Sequence, residues 1–243
     1  MVPADSSDFL TIEHLSHQMG AFTLGPIDLE LGHGQCTALV GGNGAGKSTL
    51  FQCISGLITP NTGRISVCGS PLATLQNRAQ LAYLPERFSP PHYLTGQEYL
   101  DYFSALCGVR PNSSDELLGM LALDAPMLSK PVRKLSKGTA QKLGLAAVLA
   151  VNRPLLLMDE PFSGLDPEAR QGLRAAMGAY TRRGGCLFFS SHLFEGMDEY
   201  VSRMLILHHG QIRFDGTPSS CREEVGEAAL DRAFLHHLGS SAT

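Results

Sequence analysis

The run Gly41-Gly42-Asn43-Gly44-Ala45-Gly46-Lys47-Ser48 constrains this chain more tightly than any other stretch of it. It satisfies GxxxxGK[ST], and the spacing has a physical reason. Glycines let successive backbone N–H groups turn inward around an anion, where a Cβ would stand in the way. The apolar run Cys36–Val40 before the loop reads as a buried strand, and residues 48–57 after it read as a helix. That order aims the positive end of a helix at whatever anion the loop holds. Lys47 is then placed for the β- and γ-phosphates of a nucleotide, and the Ser48 hydroxyl for Mg2+. No GxGxxG can be laid on these glycines, which excludes a dinucleotide-binding loop.

The rest of the chain supplies the strands and helices such a loop needs. Upstream, residues 9–15 and 22–31 alternate apolar and polar (Phe22, Leu24, Ile27, Leu29, Leu31), as half-buried strands do. Short strands are expected at 64–68 and 81–84. From residue 87 to 152 the character turns helical. Thr95-Gly96-Gln97-Glu98 is a capping box followed by Tyr99, Phe103 and Leu106 at helical spacing; Ser113-Ser114-Asp115-Glu116 repeats it, and a third helix starts at Ser136. The apolar run Leu155–Met158 then reads as a strand buried on both faces. Asp166 caps the next helix, with Pro167 in its first turn and Leu173, Ala176, Met177 and Tyr180 inward. A strand at 186–189 and a hairpin around His208-His209-Gly210 follow, and the tail ends in a helix or two anchored by Leu230, Phe234, Leu235 and Leu238. The expectation is one α/β domain with a core at 1–86 and 153–243, an antiparallel β region at its start, and a helical lobe at 87–152 inserted into it.

Composition narrows the setting. Net charge is −4, and nucleic acid as a main partner would call for a basic excess instead. The six cysteines are scattered without a CxxC pair, which fits reduced, buried thiols and neither a disulfide framework nor a zinc site. Residues 1–8 are polar and acidic, unlike a signal peptide, and the longest apolar stretch, 143–151, falls far short of the ~20 residues that span a bilayer. Any membrane-spanning part is therefore expected from another subunit.

Two further constellations bear on chemistry. The strand at 155–158 ends in Asp159-Glu160; after a phosphate loop, Asp159 is placed for the Mg2+ shell and Glu160 to polarise an attacking water. Leu135-Ser136-Lys137-Gly138-Thr139 opens a helix with a capping serine and a glycine. By itself that is a helix cap; beside a first phosphate loop it is a second anion site, which points to ATP sandwiched between two copies. Together these runs resemble the ATP-binding cassette (ABC) transporter ATPases over about residues 9–240. Gly41 through Thr49 resembles their Walker A motif, Leu135 through Thr139 their signature, and Leu155 through Glu160 their Walker B with its catalytic glutamate. Ser163-Gly164-Leu165-Asp166 is similar to the D-loop, and Ser190-Ser191-His192 to the segment carrying the switch histidine.

The resemblance implies a RecA-like P-loop NTPase core and an ATPase using ATP and Mg2+, with Glu160 and His192 catalytic. It implies head-to-tail pairing with a second ATP-binding subunit, expected to be another copy of this chain. Leu135, Ser136, Lys137, Gly138, Thr139 and Asp166 would then face the nucleotide of the other copy. It also implies a polytopic membrane partner and a place on the cytoplasmic face of the cell membrane. Three positions depart from the pattern. Lys137 and Thr139 replace a glycine and a glutamine of the signature, while Ser136 and Gly138 persist. The aromatic that stacks on adenine corresponds to Met19, with Phe22 as the alternative. The Q-loop glutamine, a metal contact, corresponds to Glu86, and Leu84-Pro85-Glu86 resembles the exporter-type ABC-2 branch.

Other polar clusters have plainer readings. Lys130, Arg133, Lys134, Lys137 and Lys142 read as a solvated face around the signature, and the pairs His208-His209 and His236-His237 as surface histidines. Phe88 and Tyr93, beside Pro90-Pro91, are expected to be exposed and to suit docking of a partner. The competing function is a soluble ABC ATPase acting on DNA or the ribosome. Relatives of that kind carry a long coiled coil or two cassettes, and this chain has room for neither. A nucleotide-binding regulator without hydrolysis is a third reading, which Glu160 and His192 oppose.

Overall fold

The computed structural model describes residues 8–72, 79–109 and 115–239. The alternating N-terminal segments form two long antiparallel strands, β1 (Asp8–Met19) and β2 (Phe22–Gly32). With β4 (Thr62–Val67) and β5 (Ser70–Pro71) they make a four-stranded sheet in the order β2-β1-β4-β5. The apolar runs build a second sheet from β3 (Cys36–Val40), β6 (Leu81–Leu84), β7 (Leu155–Met158), β8 (Cys186–Ser191), β9 (Arg203–His208) and β10 (Gln211–Gly216). Its order is β10-β9-β3-β8-β7-β6, parallel except for the terminal β9–β10 hairpin. The fold is α/β, with an antiparallel sheet packed beside a mostly parallel one.

Register explains why the chemistry collects at one edge. Val40 lies opposite Ser191, Met158 opposite Phe189, and Leu84 opposite Met158. The residues that follow, Gly41, His192 and Asp159, with Glu86 one place further on after Pro85, therefore leave the sheet side by side at its carboxyl end, where open α/β sheets bind ligands.

Alternate residues of the central strands serve separate interiors. Leu39, Leu155, Leu157 and Phe188 join the core between the two sheets. Into that core α1 (Lys47–Ile54) inserts Leu50, Phe51 and Ile54, each fully buried. Burying a side chain the size of Phe51 contributes about 2–3 kcal/mol. Ala38, Val40, Leu156, Met158 and Phe189 face the opposite core. Here lie α2 (Gly96–Leu106), α3 (Asp115–Met120), α4 (Ala125–Leu128) and α5 (Lys137–Ala150), all between β6 and β7 in the chain. Then come α6 (Pro167–Arg182), α7 (Met197–Tyr200), α8 (Pro218–Val225) and α9 (Leu230–Gly239). The capping box at α2 forms in both directions, Glu98 N–H to Thr95 Oγ1 at 3.2 Å and Thr95 N–H to Glu98 Oε2 at 2.8 Å. The repeat of that signature at Ser113-Ser114 lies outside the described residues. No helix among the described residues is long and apolar enough to cross a membrane. All six cysteines are free, and burial pushes the Cys36 and Cys186 thiols up to about 12, as expected of inert core residues.

Several local expectations are corrected. The first helix ends at Ile54, short of Leu57, which is exposed after the Gly56 turn. Phe88 is not exposed: its ring packs 5.8 Å from that of Tyr99 against the helical core, leaving Tyr93 as the exposed aromatic there. Lys142 is no part of a solvated face, being buried against Asp166. Leu235 points outward, because Leu230 and Ala233 take the inner face of α9 and Phe234 and Leu238 pack beside them. His237 tucks its ring 5.0 Å from Phe214 and is not a surface residue.

Candidate functional site

A cavity of about 610 Å³ opens at the carboxyl end of the parallel sheet. Gly42, Asn43, Gly44, Ala45, Gly46, Lys47, Ser48 and Thr49 form its floor; Met19 and Phe22 lie on one side, and Glu86, Asp159, Glu160, Ser163 and His192 on the other. Gly46 needs its missing side chain, since with φ at 108° a Cβ there would stand 2.9 Å from the Phe22 ring. Gly41 lies beneath the cavity and joins it through its carbonyl, which accepts from Lys47 Nζ at 2.7 Å. A larger groove of about 1070 Å³ lies over the antiparallel sheet and holds none of these residues, so size does not mark the site.

The charged groups form one connected chain. Lys47 Nζ lies 3.7 Å from Glu160 Oε1, and His192 Nδ1 lies 2.8 Å from Glu160 Oε2. The Glu160 carboxylate, 14% exposed, is thus held between a cation and an imidazole. Its backbone is left-handed, with φ at 50°. That bend is fixed by the Glu160 N–H, which donates to Ser190 Oγ at 2.8 Å. The same hydroxyl donates to Asp159 Oδ1 at 2.5 Å. Ser190 stands in the run before His192, but its own role, holding Glu160 and Asp159 together, is not written in that motif. Its partners are 31 and 30 residues away, and no local spacing marks that role.

Met19 and Phe22 both reach the cavity: Met19 is half exposed at its rim, while Phe22 packs under Gly46. Glu86 lines it with an exposed side chain.

The structure does not bring the signature residues to this cavity. Ser136 caps α5, accepting from Thr139 N–H at 3.1 Å, with its hydroxyl 2.8 Å from Thr139 Oγ1. Ser136 and Lys137 are exposed; Leu135, Gly138 and Thr139 are half-buried. Gly138 lies so close to the D-loop that a Cβ would stand 2.8 Å from the Gly164 carbonyl. Lys142 Nζ meets Asp166 Oδ2 at 3.0 Å, and Asp166 Oδ1 caps α6 by accepting from Ala169 N–H at 2.8 Å. That N–H first, and the lysine second, hold the Asp166 carboxyl below the usual range. The signature and the Gly164 and Asp166 part of the D-loop are thus one contiguous surface of this chain, and of the D-loop Ser163 lines the nucleotide cavity.

A strand–loop–helix phosphate cradle at the carboxyl end of a mostly parallel sheet, with acids on the neighbouring strand, defines a P-loop nucleotide-binding protein. Comparison with known proteins narrows the class. Residues 24–163 match the protein family described as ABC transporter. The chain is 32% identical over 228 residues to the ABC-type transporter ATP-binding protein EcsA of Bacillus subtilis, covering 89% of this chain and 92% of that one. It is 31% identical over 202 residues to an uncharacterized ABC transporter ATP-binding protein of Synechocystis, covering 80% of this chain but only 56% of that relative's length. A solved structure described as the ATP binding subunit of an ABC transporter aligns with a TM-score of 0.86 at 32% identity, over 94% of this chain and 99% of that one. The chain belongs to the ABC transporter family, among its ATP-binding proteins.

Proposed function

We propose that this chain binds ATP with Mg2+ on the loop from Gly41 to Thr49, hydrolyses it, and so energises a separately encoded polytopic membrane subunit from the cytoplasmic face. The observation that carries the hydrolysis reading is the Glu160 carboxylate held at the cavity between Lys47 and His192. Backbone amides and Lys47 bind the β- and γ-phosphates; Lys47 now rests on the Gly41 carbonyl and is free to exchange that partner for phosphate oxygens. Glu160 takes a proton from the water whose oxygen attacks the γ-phosphorus, as the bond to the bridging oxygen breaks and ADP leaves. His192 orients Glu160 and the γ-phosphate edge. Met19, or Phe22 behind it, packs on the adenine.

The donor set fits Mg2+: the Ser48 hydroxyl and the Asp159 carboxylate are hard oxygens, and Ser190 already orients Asp159. Mg2+ there would neutralise phosphate charge. Glu86 adds a carboxylate to the same cavity and would tie the position of its loop to the metal. The separation of the signature surface from the phosphate loop within one copy supports completion of each site by a second copy, head to tail. Leu135, Ser136, Lys137, Gly138, Thr139 and Asp166 then face the partner's nucleotide. The membrane subunit meets the helices between β6 and β7, where Tyr93 is 81% exposed.

Glu160→Gln tests this. The amide cannot accept the proton, so turnover should fall at least about 100-fold while ATP affinity stays within a few-fold. With ATP and Mg2+ the variant should elute from a sizing column at twice the chain's mass. Turnover near the wild-type rate would remove Glu160 from the chemistry, and a monomer at saturating nucleotide would remove the paired site.

A further inference from the structure

His192 stands where β8 ends, with its side chain 63% exposed, yet its ring keeps a 2.8 Å contact with Glu160. An exposed side chain on a loop keeps such geometry only where the loop itself is held. Residues 193–196 are pinned at one end by Ser191 Oγ, which accepts from Leu193 N–H at 3.0 Å. Arg174 pins the other end, donating to the Glu195 carbonyl at 2.8 Å. Between these pins, Phe194 meets Phe234 of α9, with ring centroids 5.1 Å apart at 45°. The helix is firmly seated through buried Leu230 and Ala233. The two rings help to close a second cavity of about 350 Å³ behind the phosphate loop. Gly42, Asn43 and His192 line both this space and the nucleotide cavity, so the two share a wall.

We infer that Phe234 is a positioning residue for His192: through Phe194, the helix α9 sets the placement of the imidazole and hence the rate of ATP turnover, without touching nucleotide. The proposal rests on the hydrolysis reading above. Phe234 acts on the rate because its ring packs on Phe194 behind the shared wall and does not line the nucleotide cavity. Nucleotide affinity is supplied by Lys47 and the loop amides and is left alone.

The test is steady-state hydrolysis and ATP binding by the wild type, Phe234→Ala, Phe234→Tyr, His192→Ala and the double variant Phe234→Ala/His192→Ala. The alanine variant should lose about three- to tenfold in kcat with KM within about twofold. The tyrosine variant, which keeps the ring, should recover most of that loss. In the His192→Ala background the Phe234 change should cost nothing further, as expected when one residue acts through the other. In parallel, the His192 ring resonance, identified by its loss in His192→Ala, should move in Phe234→Ala and return in Phe234→Tyr. Phe234→Leu replaces the alanine variant if that one fails to fold. An unchanged kcat, a loss that multiplies with His192→Ala, or an unmoved ring resonance overturns the proposal. A wild type without turnover overturns the hydrolysis reading instead, and the ring resonance then still decides whether Phe234 places His192.

Discussion

Ser190 carries two duties on one hydroxyl, accepting from the Glu160 backbone and donating to the Asp159 carboxylate. Substitution by alanine leaves a buried carboxylate oxygen and a strained N–H without that partner. Ser190→Ala should therefore cost about 1–3 kcal/mol in urea unfolding. It should also slow turnover about tenfold or more by releasing Glu160 from its left-handed bend. Unchanged stability with slowed turnover would separate the two duties. At this scale the sequence was legible wherever the geometry depends on a local spacing. The glycines, Lys47, Ser48 and the acids after β7 fall where their motifs place them. The role of Ser190 was not legible, because its value lies in a register between strands. Lys142 and Phe88 were misplaced for the same reason: whether such a side chain is solvated depends on elements distant in the chain.

Helices and strands were the most legible level, since caps and periodicity are written locally. Thr95, Ser136 and Asp166 all sit at helix N-caps, each accepting from the backbone three residues on. What caps do not reveal is which helices are tied together. One tie between α5 and the cap of α6 is the Lys142–Asp166 pair, and its carboxyl titrates. The folded Asp166 carboxyl lies below its unfolded value of about 3.9, so its contribution is fully present above that value and disappears as pH falls through the folded one. Asp166→Asn keeps an acceptor for the Ala169 N–H but does not titrate. The stability difference between wild type and this variant should be constant above about pH 5 and shrink toward pH 3. Urea midpoints at several pH values check it, and a difference indifferent to pH would mean that neither the Ala169 N–H nor Lys142 favours the charged carboxylate.

On the scale of the whole molecule, the apolar strands at 36–40 and 155–158 declared a sheet covered on both faces. Their order across the sheet was not legible, because pairing partners are chosen by the assembled core. The covered sheet also divides the interior. Leu156 belongs to one buried cluster and Leu157 to the other, although they are neighbours in the chain. Leu156→Val and Leu157→Val should each cost about 1 kcal/mol, and the double variant should equal their sum within about 0.5 kcal/mol, since the two share no packing partners. A larger departure would mean that the sheet transmits strain across its thickness. Carried along the strand, this gives β7 an alternating coupling pattern: each position is energetically a stranger to the next letter and kin to the one after.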